Sequence, residues 1–580
     1  MIVAIIDGYT DEPAGLGVPP YLGIYPRYAY GALKKAGKDV SIFYLTIDDL
    51  RFTFEGEHGI KTKNKTPNVF ETRKILEKAD LIVYIGGLHT PGKYLSAMPS
   101  QVEEVSKFIK PFGGIKILGG PAFMGSAHEG GTKIGSKELA LANQIFDHIV
   151  YGDLEAFLYD FITNPTDADP FRFRTYKELR DYAILGAEIV KQFPDYPVVE
   201  IESQRGCPKA AGIGGCSFCT EPLRYRKVED RPVEDIVKEV EILYTLGVRH
   251  FRVGRQSCIF SYMAKPDGRV PIPNPDALEK LFMGIRNVAP HVKTLHVDNA
   301  NPAVIANYPK ESIRIAKALI RYGTPGNVVA FGLESADPKV ARLNNLNATA
   351  EETYEAVKIL NEIGAKRGYN GMPWLLPGIN ILFGLPGETR KTYELTYEFL
   401  KRILDDGLLL RRINIRQVVV FPNTPLWHMR EKVKTEKHKT LTKHYRYKIR
   451  HEIDFPMLKR LVPMGTVLRY VRAEIYDNGL TYGRQMGSYP LIVGIPKEVE
   501  LNRFYDVMIV GHGFRSITGI PLPIDINREH SKVLSYIPGI GRKRVIKILA
   551  RRPFRDKEDF LNMIEDKKSR EMLRDKIITP

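Results

Sequence analysis

The chain has 580 residues, a formal net charge of +17, 43% apolar and 26% charged residues, a balance that predicts several globular domains and not a fibrous or disordered protein. No apolar run reaches the ~18 residues that a bilayer span needs, and the start "MIVAIIDGYTDEP" lacks a basic n-region and cleavage site, so no membrane partner and a cytoplasmic location are expected. Four cysteines are too few for a disulfide framework in a chain this long, which points to a reducing interior.

Residues 1–165 alternate apolar runs with amphipathic stretches. "IVAIID", "DVSIFYL", "DLIVYIGG", "IKILGG" and "HIVYG" predict parallel strands, with helices such as "YPRYAYGALKKAG" between them. That pattern is an α/β doubly wound parallel-sheet domain, whose ligands sit at the C-terminal strand ends. Residues 165–197 read as connecting structure. A second series over 195–430 contains "VVEIES", "HFRVGRQ", "TLHVDN", "VVAFGLES", "INILFG" and "INIRQVVVFP". Six such units predict a (β/α)6 part-barrel with its active site at the C-terminal strand ends.

Beyond Pro425 the pattern changes. Residues 431–461, with "KTLTKHYRYKIRHEIDF", read as a basic linker. Short Gly- and Thr-rich strands over 462–528 predict a small OB-like β-barrel, and residues 529–580 return to helix. From Glu431 to Pro580, 31 Lys and Arg face 18 Asp and Glu, so this quarter of the chain carries most of the charge excess. The plain reading is a solvated basic tail; the sharper one is an electrostatic footprint for nucleic acid.

Three of the four cysteines fall in "VVEIESQRGCPKAAGIGGCSFCT", as Cys207, Cys216 and Cys219. Three thiolates from one loop suit a metal or cluster, and Gly212, Gly214 and Gly215 let the backbone fold tightly round it. A closed zinc site normally takes four protein ligands, and no fourth cysteine follows at finger-like spacing. A three-thiolate [4Fe–4S] cluster leaves one iron open for a small molecule. The loop also follows the first strand of the predicted barrel, where active-site loops belong.

With these cysteines, "GLES", "GINILFGLPGE" and "VVVFPNTPL", residues 195–430 resemble the radical S-adenosylmethionine (SAM) enzymes. Most members space the cysteines three then two; here the first gap is eight. The resemblance implies that Cys207, Cys216 and Cys219 bind the cluster, that SAM chelates the open iron, and that an external donor supplies an electron. A 5′-deoxyadenosyl radical then abstracts hydrogen, while the barrel positions the cofactors. It also implies that Gly254, Gln256 and Ser257 lie near the methionine moiety and that Glu334 and Ser335 contact the SAM ribose or carboxylate. Asp298, Asn299 and Gly384 would line the mouth. Each of these polar residues also reads as an ordinary strand-end cap. Cys258, in "RVGRQSCIF", is either a catalytic thiol or a small buried hydrophobe.

Residues 1–165 resemble the cobalamin-binding-like domain that precedes many radical SAM barrels, so cobalamin is a candidate cofactor. The stretch Gly87-Leu-His89-Thr-Pro-Gly92 partly matches the cobalamin-ligating pattern Asp-x-His-x-x-Gly. It follows the third strand and not the first, so His89 is not expected to ligate. Methylthiotransferases share this domain order but carry three further N-terminal cysteines; none precedes Cys207 here, so methylthio transfer is not expected.

"SYIPGIGRKRVIKILARRPF" resembles the helix–hairpin–helix motif. Gly539 and Gly541 would let backbone N–H groups reach a phosphate, with Arg542, Lys543 and Arg544 beside it. The preceding strands resemble the TRAM domain, in which Tyr470, Tyr476, Tyr482, Arg484 and Arg515 would stack bases and hold phosphates. Nearly the whole chain is similar to a largely archaeal family of radical SAM proteins ending in helix–hairpin–helix. That resemblance implies modification of a nucleoside in structured RNA, tRNA first, with C-methylation the leading chemistry if cobalamin binds. The alternatives are a radical enzyme acting on DNA, one acting on a ribosomal protein, and a nucleic-acid-binding protein with a structural metal.

Overall fold

The computed structural model describes residues 1–579 except 12–15, 18, 38, 89–96 and 122–134. Five apolar runs form strands β1 (Ile2–Asp7), β2 (Ser41–Thr46), β3 (Leu81–Ile85), β4 (Ile115–Gly119) and β5 (His148–Ile149). They pair in parallel in the order β2-β1-β3-β4-β5. The strand order reverses between β1 and β3, so the ligand face lies at their C-terminal ends. Val3 and Ile5 enter one core while Ala4 and Ile6 enter the other, which is why β1 reads as an unbroken apolar run.

The 165–197 stretch holds a helix, Tyr176–Gly186, started by a capping box between Thr175 and Glu178. It crosses the helix Ile24–Ala36 with the backbones touching. A Cβ on Gly31 would sit 1.8 Å from the Tyr182 carbonyl oxygen, and one on Gly186 would sit 2.1 Å from that of Arg27. Glycine is required at both positions because the helices approach more closely than any side chain allows.

The central unit has strands β6 (Val198–Glu202), β7 (His250–Gly254), β8 (Thr294–Val297), β9 (Asn327–Glu334), β10 (Leu375–Phe383) and β11 (Arg412–Gln417). β8-β7-β6 and β9-β10-β11 are parallel sheets. The Ala300 N–H donates to the Ala330 carbonyl at 3.0 Å and joins them into one arc. Six strands in a part-barrel is the expected architecture. A short strand, Tyr21–Leu22, extends the free edge at β6 and was not expected. It brings the N-terminal chain into the barrel sheet, and the buried Arg27 follows it, donating to the Glu200 carbonyl at 2.5 Å and pairing with Glu239. Contacts therefore continue across the expected boundary at 165–195.

The expected linker at 431–461 is helical: Lys439–Ile449, one wide π turn at Arg450–Asp454, then Phe455–Leu461. Tyr445 packs its ring 5.6 Å from that of Tyr393, so the basic residues face outward from an anchored helix. Strands β12 (Val467–Asp477), β13 (Leu480–Gln485), β14 (Ile492–Ile495), β15 (Phe504–His512) and β16 (Ser516–Pro521) close a barrel in the order β12-β13-β14-β16-β15. Four short helices between Ser531 and Leu573 follow, around their own core of Val533, Ile548 and Phe560. Among the described residues, no helix is long and apolar enough to cross a membrane.

The small barrel docks through the segment 486–490, which plugs the foot of the central barrel. Thr294 donates to the Met486 carbonyl at 3.0 Å, the Ser488 N–H donates to His296 Nδ1 at 3.0 Å, and the Tyr489 hydroxyl donates to Asp298 Oδ1 at 2.7 Å. Tyr21 closes the other side with a hydrogen bond to the Gly487 carbonyl.

Candidate active site

Cys207 caps the short helix Pro208–Ile213, and Cys216 and Cys219 follow in the same loop. The eight-residue gap between the first two cysteines folds as that helix and is clamped by the residues after helix Pro338–Leu343. The Asn345 amide donates to the carbonyls of Ile213, Gly214 and Gly215 at 3.4, 3.0 and 3.1 Å. Lys209 Nζ donates to the carbonyls of Asn345 and Gly214 at 2.7 and 3.2 Å. The Ser217 hydroxyl donates to Asn344 Oδ1 at 2.8 Å, and its N–H donates to the Asn344 carbonyl at 2.9 Å. Asn345 has φ +46°, the left-handed region that asparagine tolerates better than most residues.

All four cysteines are free thiols. Burial pushes the three loop thiols up, Cys216 to about 12, with Lys209 pulling Cys216 the other way. Cys219 feels Cys216 and Cys207 through space, and Cys216 feels Cys207 and Glu334. Bare thiolates are disfavoured there, whereas a bound cationic cluster would deprotonate them outright. Three thiols sharing one space are the donor set a [4Fe–4S] cluster takes when one iron stays open. Among the described residues, no three His, Cys, Asp or Glu side chains gather as a single metal ion requires.

Glu334 sits where the pairing of β9 with β10 shifts register, at φ +63°. Burial raises its carboxyl to about 8, opposed by Arg416 on β11. A non-glycine residue held at this φ marks stored strain, and its carboxyl acts on Cys216 through space. The neighbouring Ser335 N–H donates to the Leu333 carbonyl at 2.7 Å.

The other expected residues divide by what they touch. Gln256 accepts from Ser203 Oγ at 3.1 Å, the Gly254 carbonyl accepts from the Ser203 N–H at 3.3 Å, and Ser257 donates to the Gly206 carbonyl at 3.2 Å. These three brace the root of the cysteine loop. Gly384 adopts φ +99°, and its N–H donates to Glu388 Oε2 at 2.8 Å; a Cβ there would meet Thr435 Cγ2 at 2.5 Å. The Asn299 carbonyl accepts from the Ile259 N–H at 2.9 Å.

Asp298 departs from the expectation. It pairs with Arg252 at 2.6 Å and accepts from Tyr489, so it is committed to the plug and not to the mouth. Cys258 lies 3% exposed in the apolar core, and its sulfur accepts from the Asn301 N–H at 3.1 Å. Burial raises its thiol pKa; it is a packing residue, and the catalytic expectation fails for lack of access. Sequence reasoning missed Lys209 and the asparagines at 344, 345 and 347. Their signal is the run "RLNNLNATA", three amides close after a helix.

At the C-terminus, Gly539 has φ +80°, and Gly541 has open space where a Cβ would stand. Gly541 precedes helix Arg542–Arg551, and Arg542 and Lys543 are exposed. Arg544 pairs with Glu565 at 2.9 Å, which removes it from the expected free charges. Arg484 is likewise paired, with the buried Glu474 at 2.8 Å, while Tyr482 is half-buried. Tyr470 and Tyr476 are exposed, and Arg515 is exposed beside a cavity. His89 lies outside the described residues.

Residues 201–400 match the family model of the Radical SAM superfamily. An uncharacterized protein of Methanocaldococcus jannaschii is 50% identical over 536 residues, 91% of this chain and 94% of the relative. A ribosomal protein uS12 methylthiotransferase RimO of Phocaeicola vulgatus is 25% identical over 33% of this chain and 40% of the relative. A tRNA-2-methylthio-N(6)-dimethylallyladenosine synthase of Thermodesulfovibrio yellowstonii is 26% identical over 35% of this chain and 41% of the relative. Among solved structures, the apo cobalamin-dependent SAM radical enzyme OxsB superposes with TM-score 0.50 at 12% identity, covering 76% of this chain and 61% of that one, a likeness of fold alone. The chain belongs to the radical SAM superfamily, in a branch with archaeal relatives, and works with a [4Fe–4S] cluster and SAM.

Proposed function

We propose that this enzyme modifies a nucleoside in structured RNA, tRNA first, with Cys207, Cys216 and Cys219 holding the cluster. In this reading the chain divides into a cobalamin-binding-like domain (1–165), the radical SAM core (195–430), a TRAM-like barrel (462–528) and a helix–hairpin–helix (529–580). Bound together, the cluster and SAM supply a 5′-deoxyadenosyl radical that abstracts hydrogen. The chain's own residues prepare that site. Asn345 and Lys209 hold the cysteine loop in shape, Gln256, Ser257 and Gly254 fix its root, and Glu334 and Ser335 contact the SAM ribose or carboxylate. Gly384 closes the turn beside the mouth, and Asn299 ends the loop after β8.

The observation that carries the RNA reading is the hairpin at Gly539–Gly541. Its open Gly541 approach stands at a helix N-terminus flanked by exposed Arg542 and Lys543, a geometry suited to a phosphate. The relative named as a tRNA synthase supports the substrate class. A relative named for ribosomal protein uS12 favours a second reading, a polypeptide substrate. C-methylation is the leading chemistry if cobalamin binds, and an external electron donor is needed in either case.

Anaerobic purification with iron, sulfide and cobalt analysis tests the chemistry. About four irons per chain with cobalt is the expected result. Iron without cobalt would move the reaction to radical rearrangement or insertion, and zinc without sulfide would sink the radical assignment. Salt-dependent binding to tRNA, duplex DNA and ribosomes sorts the substrates; tightest binding to ribosomes would favour the polypeptide.

A further inference from the structure

A cavity of about 240 Å³ lies where the foot of β11, the helical segment 450–461 and the small barrel meet. Arg411, Arg412, Arg450 and Arg515 line it against a single carboxylate, Asp454. They come from the start of β11, the π turn and the loop between β15 and β16. Arg411 is half-buried, donates to the Tyr489 carbonyl and is lowered to about 10 by desolvation and by Arg412. Arg412 lies 4.3 Å over the Tyr489 ring. Arg450 donates to the Ile413 carbonyl at 2.8 Å and pairs with Asp454 across the π turn. π turns recur at functional sites because they re-aim side chains that a regular helix would space apart.

Arg515, exposed at the rim, makes no ion pair among the described residues, and partial desolvation with its neighbours Arg450 and Arg412 lowers its pKa against the pull of Asp454. Gathering several cations in a half-closed space is unfavourable unless an anion joins them. Planar guanidiniums converging on one cavity fit a phosphate.

The rim carries a second feature. Tyr447 stacks on His451 at 3.8 Å, and His451 packs against Phe514 at 4.3 Å. Tyr447 and Phe514 are 64% and 51% exposed, so the ladder offers aromatic faces to solvent beside the arginines. Exposed aromatics adjoining a cationic cavity are how single-stranded nucleotides are held, base on ring and phosphate on cation.

We propose that this cavity is a nucleotide site: the arginines take a phosphate and the Phe514–His451–Tyr447 ladder takes the base. The nucleotide can belong to an RNA strand, an arm that rests on the RNA reading above, or be a free mononucleotide.

The test uses the full-length holoenzyme with AMP, adenosine, inorganic phosphate and a labelled single-stranded oligoribonucleotide, comparing wild type with Arg515→Gln and Phe514→Ala. AMP should bind more tightly than phosphate or adenosine. Arg515→Gln should weaken AMP about tenfold or more, and Phe514→Ala should weaken AMP while leaving phosphate unchanged. Equal AMP and oligonucleotide binding by wild type and Arg515→Gln, or no binding of either probe, overturns the site. AMP binding through Arg515 without RNA binding keeps the site and removes the RNA reading. RNA binding indifferent to Arg515, with AMP binding equally indifferent, keeps the RNA reading and removes the site.

Discussion

The two ends of the central barrel gather different groups. At the mouth, three loop thiols, of which Cys216 is buried, and Glu334 face Lys209 and Arg416. At the foot, four arginines face one carboxylate. The strand β11 spans the distance, roughly 17 Å from Arg412 to Gln417 at the usual rise. Between the ends, Glu200, Arg252, Asp298 and Tyr489 form a chain of contacts. On the readings proposed above, the mouth takes a cluster and the foot takes an anion. The mouth achieves this with neutral amides and glycines, the foot with guanidiniums, because a thiol loop needs shape where a phosphate needs charge.

The comparison breaks most sharply at the mouth. Cys216→Ala should remove SAM cleavage below detection and lower iron content, while RNA affinity stays within about twofold, since phosphate contacts set that affinity. Iron analysis with 5′-deoxyadenosine detection reads the first part, and filter binding the second. Unchanged SAM cleavage would end the assignment of Cys216 as a ligand. Asn345→Ala comes next. It removes three amide hydrogen bonds and puts alanine at φ +46°, together about 2–4 kcal/mol against the loop. Iron content and SAM cleavage should fall several-fold, and Asn345→Gly, which relieves only the backbone, should recover part of the loss. Full iron in Asn345→Ala would show that the loop holds its shape without the clamp.

The parallel strands were legible in the sequence because burial on both faces writes them as apolar runs. The cysteine loop was legible because three thiols in thirteen positions have few structural explanations. Other features leave no local trace. The strand Tyr21–Leu22 has only two residues, and its partner Val198 lies far along the chain, so no periodicity announces it. The helix at 439–461 looked like a linker because its basic face dominates its composition, while Tyr445, Ile449 and Met457 do the packing. Arg484 and Arg544 read as free charges because their partners, Glu474 and Glu565, are set by tertiary contact. Cys258 was ambiguous for the opposite reason: a residue just past a strand can turn toward the mouth or into the core, and only packing decides. The arginine cavity draws on the foot of β11, the π turn and the loop after β15, so only Arg515 stood out beforehand.

The smallest predicted effect sharpens the foot. His296 accepts from the Ser488 N–H through Nδ1, and its Nε2 faces the Pro325 carbonyl at 3.2 Å, so the ring is neutral with its proton on Nε2. Burial, reinforced by Arg252, lowers its pKa to about 4, and burial with Lys293 and His296 lowers that of His250 to about 3. Both folded values lie below the ordinary 6.5. The unfolded chain therefore binds more protons than the folded one as pH falls below that value. Stability is complete above pH 6.5 and is lost progressively toward pH 4, at up to about 1.4 kcal/mol per pH unit for each histidine. Protonated His296 could no longer accept from Ser488, so the plug should loosen in the same window. Denaturant melts of wild type and His296→Gln at pH 7.5 and 5.5 measure this. The variant should be less stable at pH 7.5 but lose less on acidification, by about one histidine's share. Equal losses in both proteins would mean that His296 is not held neutral by the plug, and that the small barrel seats on the foot through Tyr489 and Thr294 instead.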